Sequence, residues 1–358
     1  MTSVDAARDR SPLPVEAGKG VAGAVRWLVL AMLFFGAPAH AQTPAEFYKG
    51  KTINLITGTA GAGGYDLAAR IVGEYLPRYM PGNPGTVIQP MPGASHVRAT
   101  EYLMNISARD GLSLGFVQPY VALNKILNPS ARYDPEKMTW LTRLLPLNQI
   151  GFSWHTSGVT NVEQARQKVL IMGAAGATGP AATVPWALNR MIGTKFRVVR
   201  DYADDTAEFL ALERGELEGM GSANYGALVR RPGFVDKNWV QPLYAISTQR
   251  IAKLPNVPAI VELSNKPADL AVLNTLGAMP AIGLTVIAPP GIPAERVEAL
   301  RRAFDAVVKD AGFIADMARA ELEVEPMDGA ALAAFVAKTM DVSAQTAQAL
   351  RDYTAPQD

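Results

Sequence analysis

The stretch INLITGTAGAGGYDLAARIVGEYL, residues 53–76, decides the fold. It opens on a short apolar run, residues 53–56, typical of a buried strand, and continues into a glycine-rich turn at residues 58–64. From Asp66 to Leu76, apolar residues then recur at helical spacing. A strand, a glycine loop and a helix in this order predict the first half of a βαβ unit.

The same pattern returns later in the chain. An apolar strand at 169–172 precedes a second glycine loop, Gly173–Gly179, and a helical stretch from Ala182 to Met191. The remaining patterns predict strands at 86–88, 113–117, 196–199, 243–246 and 283–290, helices at 98–103, 206–212 and 293–309, and a last helix capped by Asp328. Strands alternating with helices predict parallel sheets covered on both faces, and the two similar openings predict two α/β lobes.

The composition disfavours several classes of function. With 34 Lys plus Arg against 33 Asp plus Glu, the net charge of +1 gives no large field for nucleic acid or an acidic membrane surface. The absence of Cys excludes thiol catalysis and Cys-ligated metals, and three His leave few candidates for imidazole chemistry. The H-E-x-x-H and G-x-S-x-G motifs are absent, and Asp66 stands where a dinucleotide-binding loop needs its third glycine. We therefore expect no catalytic residue, no cofactor and no metal.

Residues 1–41 have the pattern of a cleavable export signal. Arg26 precedes an apolar run of 11 residues, 27–37, which is too short for a helix to span about 30 Å of hydrocarbon. Ala39-His40-Ala41 supplies a small-x-small cleavage pattern and predicts a mature start at Gln42. The alternative is an uncleaved membrane anchor. A soluble exported protein without Cys fits the periplasm, where it needs no oxidative folding.

The two glycine loops are candidate anion sites. A glycine turn that runs into a helix leaves backbone N–H groups pointing outward, beside about half a positive charge from the helix dipole. Loop 58–64 and loop 176–179 both have this form, and Thr178 adds a hydroxyl group. Two such helix ends across a cleft would suit a small carboxylate. Since Asp66 would repel a bound anion, we expect it to brace its loop from behind or to cap the helix, and to affect binding only indirectly.

Other polar residues favour structural roles. His96, in a Pro-Gly-Ala-Ser-His segment, is expected to be an exposed loop residue, and His155, beside Trp154, a structural one. Asp204 and Asp205 precede a predicted helix, where such residues are usually caps.

Several motifs together resemble one family, the tripartite tricarboxylate transporter receptors, also called the Bug family. They occur in the family's order over nearly all of the chain after residue 41: residues 47–53, 61–66, 91–94, 110–111, 202, 213–219, 254–258 and 288–293. The resemblance implies a type 2 periplasmic-binding-protein fold, with two α/β lobes joined by crossover strands and a ligand cleft between them. It places lobe 1 at residues 42–147 plus 281–358 and lobe 2 at residues 148–280.

The resemblance also implies the ligand contacts. Carried over to this chain, they are Gly61, Ala62, Gly63, Tyr65, Gly93, Ala94 and Ser95 in lobe 1, and Gly176, Thr178 and Ser222 in lobe 2. The sequence departs from the family at Ser95-His96, where Gly-Gly or Gly-Asn is expected. It departs again at Gly221–Asn224, where many relatives carry an Asp that contacts the ligand. The second departure predicts that the distal group of the ligand is not the usual carboxylate.

The function implied is a monomeric periplasmic receptor. It would hold a small organic acid, a di- or tricarboxylate or an aromatic acid, and deliver it to the inner-membrane subunits of a tripartite tricarboxylate-type transporter, without enzymatic activity. One alternative is an exported hydrolase that uses Ser222 or His155 in the same cleft. The other is a ligand-sensing partner of a signalling receptor.

Overall fold

The computed structural model describes residues 42–61 and 63–357. The predicted signal segment 1–41 and its cleavage site lie outside the described residues. From Pro44 onward the chain forms one contact unit. None of the helices in the described part is both long and apolar enough to cross a membrane.

The first sheet is built around the opening strand of the sequence. Its order is β11-β4-β10-β3-β1-β2, with β1 parallel to β2 and β3, and with β10 antiparallel to β3 and β4. The strands are β1 (Thr52–Thr57), β2 (Gly85–Pro90), β3 (Ser113–Val117), β4 (Thr139–Leu145), β10 (Leu284–Ala288) and the short β11 (Met327–Asp328). The β3 and β10 side chains are buried throughout, because helices cover both faces.

The second sheet repeats the arrangement with other residues. Its order is β7-β6-β8-β5-β9, with β6 parallel to β7 and β8, and with β5 antiparallel to β8 and β9. The strands are β5 (Gln149–Trp154), β6 (Leu170–Gly173), β7 (Phe196–Val199), β8 (Gly219–Asn224) and β9 (Val240–Ala245). Each sheet therefore has one set of parallel strands, which includes the strand of the β-loop-α opening, and a neighbouring strand that runs antiparallel to this set.

Helices connect and cover the strands. They are α1 (Pro44–Tyr48), α2 (Gly64–Tyr79), α3 (Val97–Asn105), α4 (Tyr120–Leu127), α5 (Val162–Ala165), α6 (Pro180–Ile192), α7 (Asp205–Glu213), α8 (Tyr225–Val229), α9 (Pro267–Ile282), α10 (Ala294–Val307), α11 (Ala311–Arg319), α12 (Gly329–Met340) and α13 (Ala344–Thr354). Helix α2 buries Ala68, Val72 and Leu76, one face at helical spacing, against the first sheet.

The chain passes between the sheets at two adjacent places. It leaves the first sheet after β4 and enters the second at β5, then returns through α9 to β10. The two passages are bonded to each other, since Leu147 N donates to Pro280 O at 2.9 Å, and Arg143 Nη1 to Ala281 O at 2.8 Å. The pair of crossover segments confirms the predicted two-sheet architecture.

The structure corrects two details of the sequence prediction. The sheets are mixed rather than parallel, because β5 and β10 enter each sheet directly from the other and so run against its parallel strands. The helix capped by Asp328 is α12, not the last helix: α13 follows it. Sparse apolar residues conceal α13 in the sequence, and its buried side chains are only Leu350 and Thr354.

Helix α13 packs against the second sheet's α6 as well as against α4. Arg190 of α6 donates to the carbonyl oxygens of Tyr353 and Ala355, at 2.8 and 2.7 Å. The last helix of the chain thus contacts helices associated with both sheets, α4 with the first and α6 with the second. The lobe bounds 42–147 plus 281–358 and 148–280 remain a prediction.

Truncation of the buried anchor of α13 should reveal what this helix contributes. Leu350 is fully buried, so Leu350→Ala is expected to lower the free energy of unfolding by about 2–5 kcal/mol. Urea unfolding measures the change, with the exposed Gln345→Ala as a control expected to stay within about 0.5 kcal/mol of wild type. Equal stability of the two variants would contradict the packing of α13.

Candidate ligand-binding cleft

A cavity of about 280 Å³ lies between the two sheets. This volume is at the low end for small-molecule sites, which run from about 300 to 1,000 Å³. Its lining comes from the loops after β1, β2 and β6, from the start of α7, and from β8 and α8. Both walls of the cavity thus consist largely of strand ends and helix starts.

Asp66 holds the loop after β1 in shape. The carboxylate is 1% exposed and accepts hydrogen bonds from the hydroxyls of Thr57, at 2.5 Å, and Thr59, and from Gly63 N at 3.0 Å. Gly63 is the N-cap of α2, so Asp66 closes the helix end from behind. The backbone N–H groups of Gly64 and Tyr65 have no acceptor within the helix and stand at the cavity wall.

The loop after β2 has an unusual backbone. Ala94, Ser95 and His96 follow one another with φ of 48°, 50° and 69°, a left-handed conformation that costs a non-glycine residue about 1–2 kcal/mol. Such strain persists only where the surroundings over-determine it, and it clusters at functional sites. Gln118 Nε2 donates to Ser95 O at 2.6 Å and helps to hold the loop.

The prediction of an exposed His96 is wrong. The left-handed turn points its ring inward, where it is 7% exposed and packs edge-on against Tyr65 at 4.6 Å. The ring also lies over Gly58, where a Cβ would come within 2.2 Å of it, so residue 58 must be glycine. Burial lowers the pKa of His96 to about 4, which keeps the ring neutral, and its Nδ1 has no partner among the described residues.

The loop after β6 meets the first lobe's loop directly. Gly179 lies against Ser95, since a Cβ at 179 would be 2.5 Å from Ser95 Oγ. Gly176 lies near the backbone of Ala94, whose Cα would be 3.2 Å from a Cβ at 176. The start of α6 offers few free donors, because Pro180 has no N–H and the N–H groups of residues 182 and 183 both bond to Gly179 O, at 3.1 and 3.0 Å.

Asp204 bridges the two walls. Its Oδ1 caps α7 by accepting from the N–H groups of Thr206, at 2.9 Å, and Ala207, at 3.2 Å, as expected from the sequence. Its Oδ2 accepts from Ala60 N on the opposite loop at 3.2 Å. One backbone N–H group of the first glycine loop is therefore already hydrogen-bonded to a carboxylate of the protein itself.

Two further acids stand beside Asp204, and neither forms an ion pair among the described residues, although the charge of Arg231 acts on Asp205. Asp205 lines the cavity while part of its surface stays exposed to solvent. Desolvation, and then the charge of Asp204, raise its pKa to about 6. Glu208 is 1% exposed, and its Oε2 has no partner among the described residues. Burial, and then the charges of Asp205 and Asp204, raise the pKa of Glu208 well above its usual value.

Arg230 and Arg231 are the cations in the described lining. Arg230 Nη2 lies beside the start of α2, 3.5 Å from where a Cβ of Gly64 would be. Arg230 Nη1 donates to Ala320 O at 2.9 Å. Arg231 pairs with Glu213 at 3.5 Å and stacks over the ring of Phe209 at 4.3 Å. Among the described residues, no ion pair within 4.0 Å joins either guanidinium to Asp204, Asp205 or Glu208.

The structure brings together part of the predicted ligand set. The residues that line the cavity are Gly63, Tyr65, Gly93, Ser95 and Ser222. Gly61, Ala94, Gly176 and Thr178 belong to the same loops but lie off the lining, and Ala62 lies outside the described residues. The contacts of all ten with a ligand remain a prediction.

The sequence prediction did not include Gln118, Gln149, Glu208, Arg230 and Arg231, which reach the cavity from separate elements. No pattern of spacing links these residues, because the tertiary fold alone brings them together. His155 is absent from the lining, and its ring stacks on Trp239 at 5.8 Å. No cluster of potential metal ligands occurs among the described residues.

Solved structures share this architecture. BugD, a periplasmic binding protein, superposes with a TM-score of 0.68 at 17% identity, over 86% of this chain and 98% of its own. The chain has the fold of a periplasmic binding protein. An R. palustris protein with adipate gives a TM-score of 0.65 at 18% identity over 84% and 97% of the two chains. MatC from Rhodopseudomonas palustris with bound malate gives 0.64 at 17% over 85% and 99%.

These similarities confirm the fold that the sequence motifs implied. At such low identity they establish the fold alone. Neither a protein-family model nor a curated protein matches the chain.

Replacement of Asp66 should loosen the first loop. Asp66→Asn keeps the size of the side chain but turns an NH₂ group toward one of the three donors that the carboxylate accepts from. We expect the free energy of unfolding to fall by about 2–3 kcal/mol. Chemical denaturation tests this, with Glu74→Gln on the exposed face of α2 as a neutral control. A change below about 0.5 kcal/mol would mean that the carboxylate does not brace the loop.

Glu208→Gln should stabilise the empty protein in a pH-dependent way. Because the pKa of Glu208 is higher in the folded than in the unfolded chain, ionisation costs stability, and this cost grows as pH rises above the unfolded value. The variant should therefore melt at a higher temperature than wild type at pH 8, with the difference shrinking toward pH 4. Thermal melts across this range measure it. A constant difference, or one largest at low pH, would contradict the assignment.

Proposed function

We propose that the protein is a periplasmic solute-binding receptor that captures a small organic carboxylate between its two lobes. The observation that carries the proposal is the start of α2, where Gly64 and Tyr65 line a small cavity in a binding-protein fold and their N–H groups have no acceptor within the helix. Helix starts of this kind bind anions without a positively charged side chain. A formally near-neutral chain can thus hold an acid through local dipoles.

The carboxylate would sit between the α2 start and the loop 93–95. Gly63 and Gly93 let the backbone approach the ligand closely, and Tyr65 presents a hydroxyl with no partner among the described residues. Burial raises the pKa of Tyr65, so this hydroxyl keeps its proton and can donate to the acid. Ser95 contributes from the strained loop, whose fixed conformation reduces the entropy lost on binding.

Binding would work by hinge closure. The crossover segments near Leu147 and Pro280 are the part of the chain that the two lobes share, and the loops that carry Ser95 and Gly179 meet on the far side of the cavity. A ligand that contacts both walls would favour the closed state, in which water is excluded. No step of this mechanism requires a catalytic group.

Delivery to the inner-membrane subunits of a tripartite tricarboxylate-type transporter, by a monomer in the periplasm, completes the proposal. It is supported by the order of family motifs along the chain and by the shared fold. The hydrolase alternative is weakened because His155 stands apart from Ser222, which lines the cavity. The sensing alternative uses the same cleft and differs only in its partner, so loss of uptake in a deletion strain distinguishes transport from sensing.

A carboxylate introduced at the α2 start should compete with the ligand. Gly63 has φ −81° and ψ 175°, the extended conformation of an N-cap, which Asp and Asn both favour. Gly63→Asp is expected to abolish stabilisation by acids, because it adds a negative charge beside Asp66 at the start of α2 that repels a bound acid, whereas Gly63→Asn of nearly the same shape should retain most of it. Native mass spectrometry and thermal shifts against mono-, di- and tricarboxylates measure this.

In wild type, at least one acid should raise the melting temperature, since a ligand at 100 times its Kd contributes about 2.7 kcal/mol. No shift with any acid and no retained acid in the native mass spectrum would refute the proposal. Equal binding by the Asp and Asn variants would mean that the ligand carboxylate does not bind at the start of α2. Conversion of a bound acid into a product would favour the enzyme alternative.

A further inference from the structure

The two walls of the cavity differ in polarity. The first-sheet wall presents backbone N–H groups at the start of α2 and the Tyr65 hydroxyl, all of which can donate hydrogen bonds. The second-sheet wall has the start of α6, whose N–H groups are largely absent or bonded, and the start of α7, which the protein's own Asp204 caps. A second ligand carboxylate would find few donors on this wall.

Carboxylates dominate the second wall instead. Asp204, Asp205 and Glu208 all line the cavity there. The lining thus sets three acids against two guanidinium groups. Each guanidinium also interacts with an acid outside the lining, Glu213 for Arg231 and Glu321 for Arg230, and Arg231 interacts with Asp205 as well.

Glu208 has a buried carboxylate oxygen that accepts no hydrogen bond from the described residues. A side chain 1% exposed, with an unpartnered oxygen, is costly unless a donor reaches it. The described residues supply none, although Glu208 lines the cavity. Glu208 would therefore gain from a hydrogen-bond donor carried by a ligand.

We infer that the ligand is a small acid with a protonated amine opposite its carboxylate, bound with the amine against Asp205 and Glu208. This inference rests on the proposed function, because it assigns the second end of the same ligand. An ammonium group supplies three donors and a positive charge, which matches a wall of acceptors with excess negative charge. A dicarboxylate would instead bring like charges together at Asp205 and Glu208.

Matched ligands test the inference on the wild-type protein. The amino acids β-alanine, γ-aminobutyrate and δ-aminovalerate pair by chain length with the dicarboxylates succinate, glutarate and adipate. We expect the amino acid of the best-fitting length to bind at least about tenfold more tightly than its dicarboxylate, as one charge-assisted hydrogen bond allows. Titration calorimetry measures both.

Glu208→Gln and the exposed control Glu74→Gln extend the test. Glu208→Gln should lose about tenfold in affinity for the amino acid while its affinity for the dicarboxylate stays equal or rises, and Glu74→Gln should behave as wild type. Binding of the amino acid near pH 6 should also release protons, since a nearby ammonium lowers the raised pKa of Asp205. Calorimetry in two buffers of different ionisation enthalpy detects this release.

The outcomes separate the two proposals. Equal or tighter binding of the dicarboxylate at every length overturns the amine assignment and leaves the carboxylate receptor standing. Equal losses of both ligands in Glu208→Gln likewise overturn it, because the residue would then act only through the fold. If none of the six probes binds, the amine assignment fails, and the wider set of acids tested for the proposed function decides whether the carboxylate site stands.

Discussion

The cleft depends on one buried carboxylate that faces away from the ligand. Asp66 gathers two threonine hydroxyls and the Gly63 N–H, and so sets the path of the chain from β1 into α2. Since these donors are buried with it, every bond that Asp66 fails to make would leave a polar group unsatisfied. The outward direction of the α2 N–H groups follows from this arrangement, and with it the capacity of a near-neutral protein to attract an acid.

The helix starts that border the cavity have opposite electrostatic character in the two halves of the fold. At the start of α2, the protein's own carboxylate binds behind the helix end and leaves the front free. On the second wall, α7 carries Asp204 at its cap and Asp205 and Glu208 in its first turn, and Asp204 even reaches across to Ala60 N. A fold that is nearly symmetric in its topology thus encloses an asymmetric cavity, and a ligand with two unlike ends fits it better than one with two like ends.

The strained loop after β2 links packing to specificity. Its three successive left-handed residues turn the His96 ring into the cavity wall, and the ring requires a glycine at position 58. These features explain each other, since a side chain at 58 would push His96 out and a relaxed loop would leave it in solvent. The departure from the family pattern at Ser95-His96 therefore changes the shape and polarity of the wall, although both residues read as ordinary loop residues.

The sequence alone determined the two β-loop-α openings, most strands to within a few residues, the cap at Asp204 and the role of Asp66, because these depend on periodicity and on bonds between near neighbours. Tertiary structure alone decided the mixed sheets, helix α13, the burial of His96 and the grouping of Gln149, Glu208 and Arg230 around one cavity. Contacts between residues far apart in the chain leave no local pattern. Whether a polar side chain ends in solvent or in a cleft depends on what the rest of the chain places beside it.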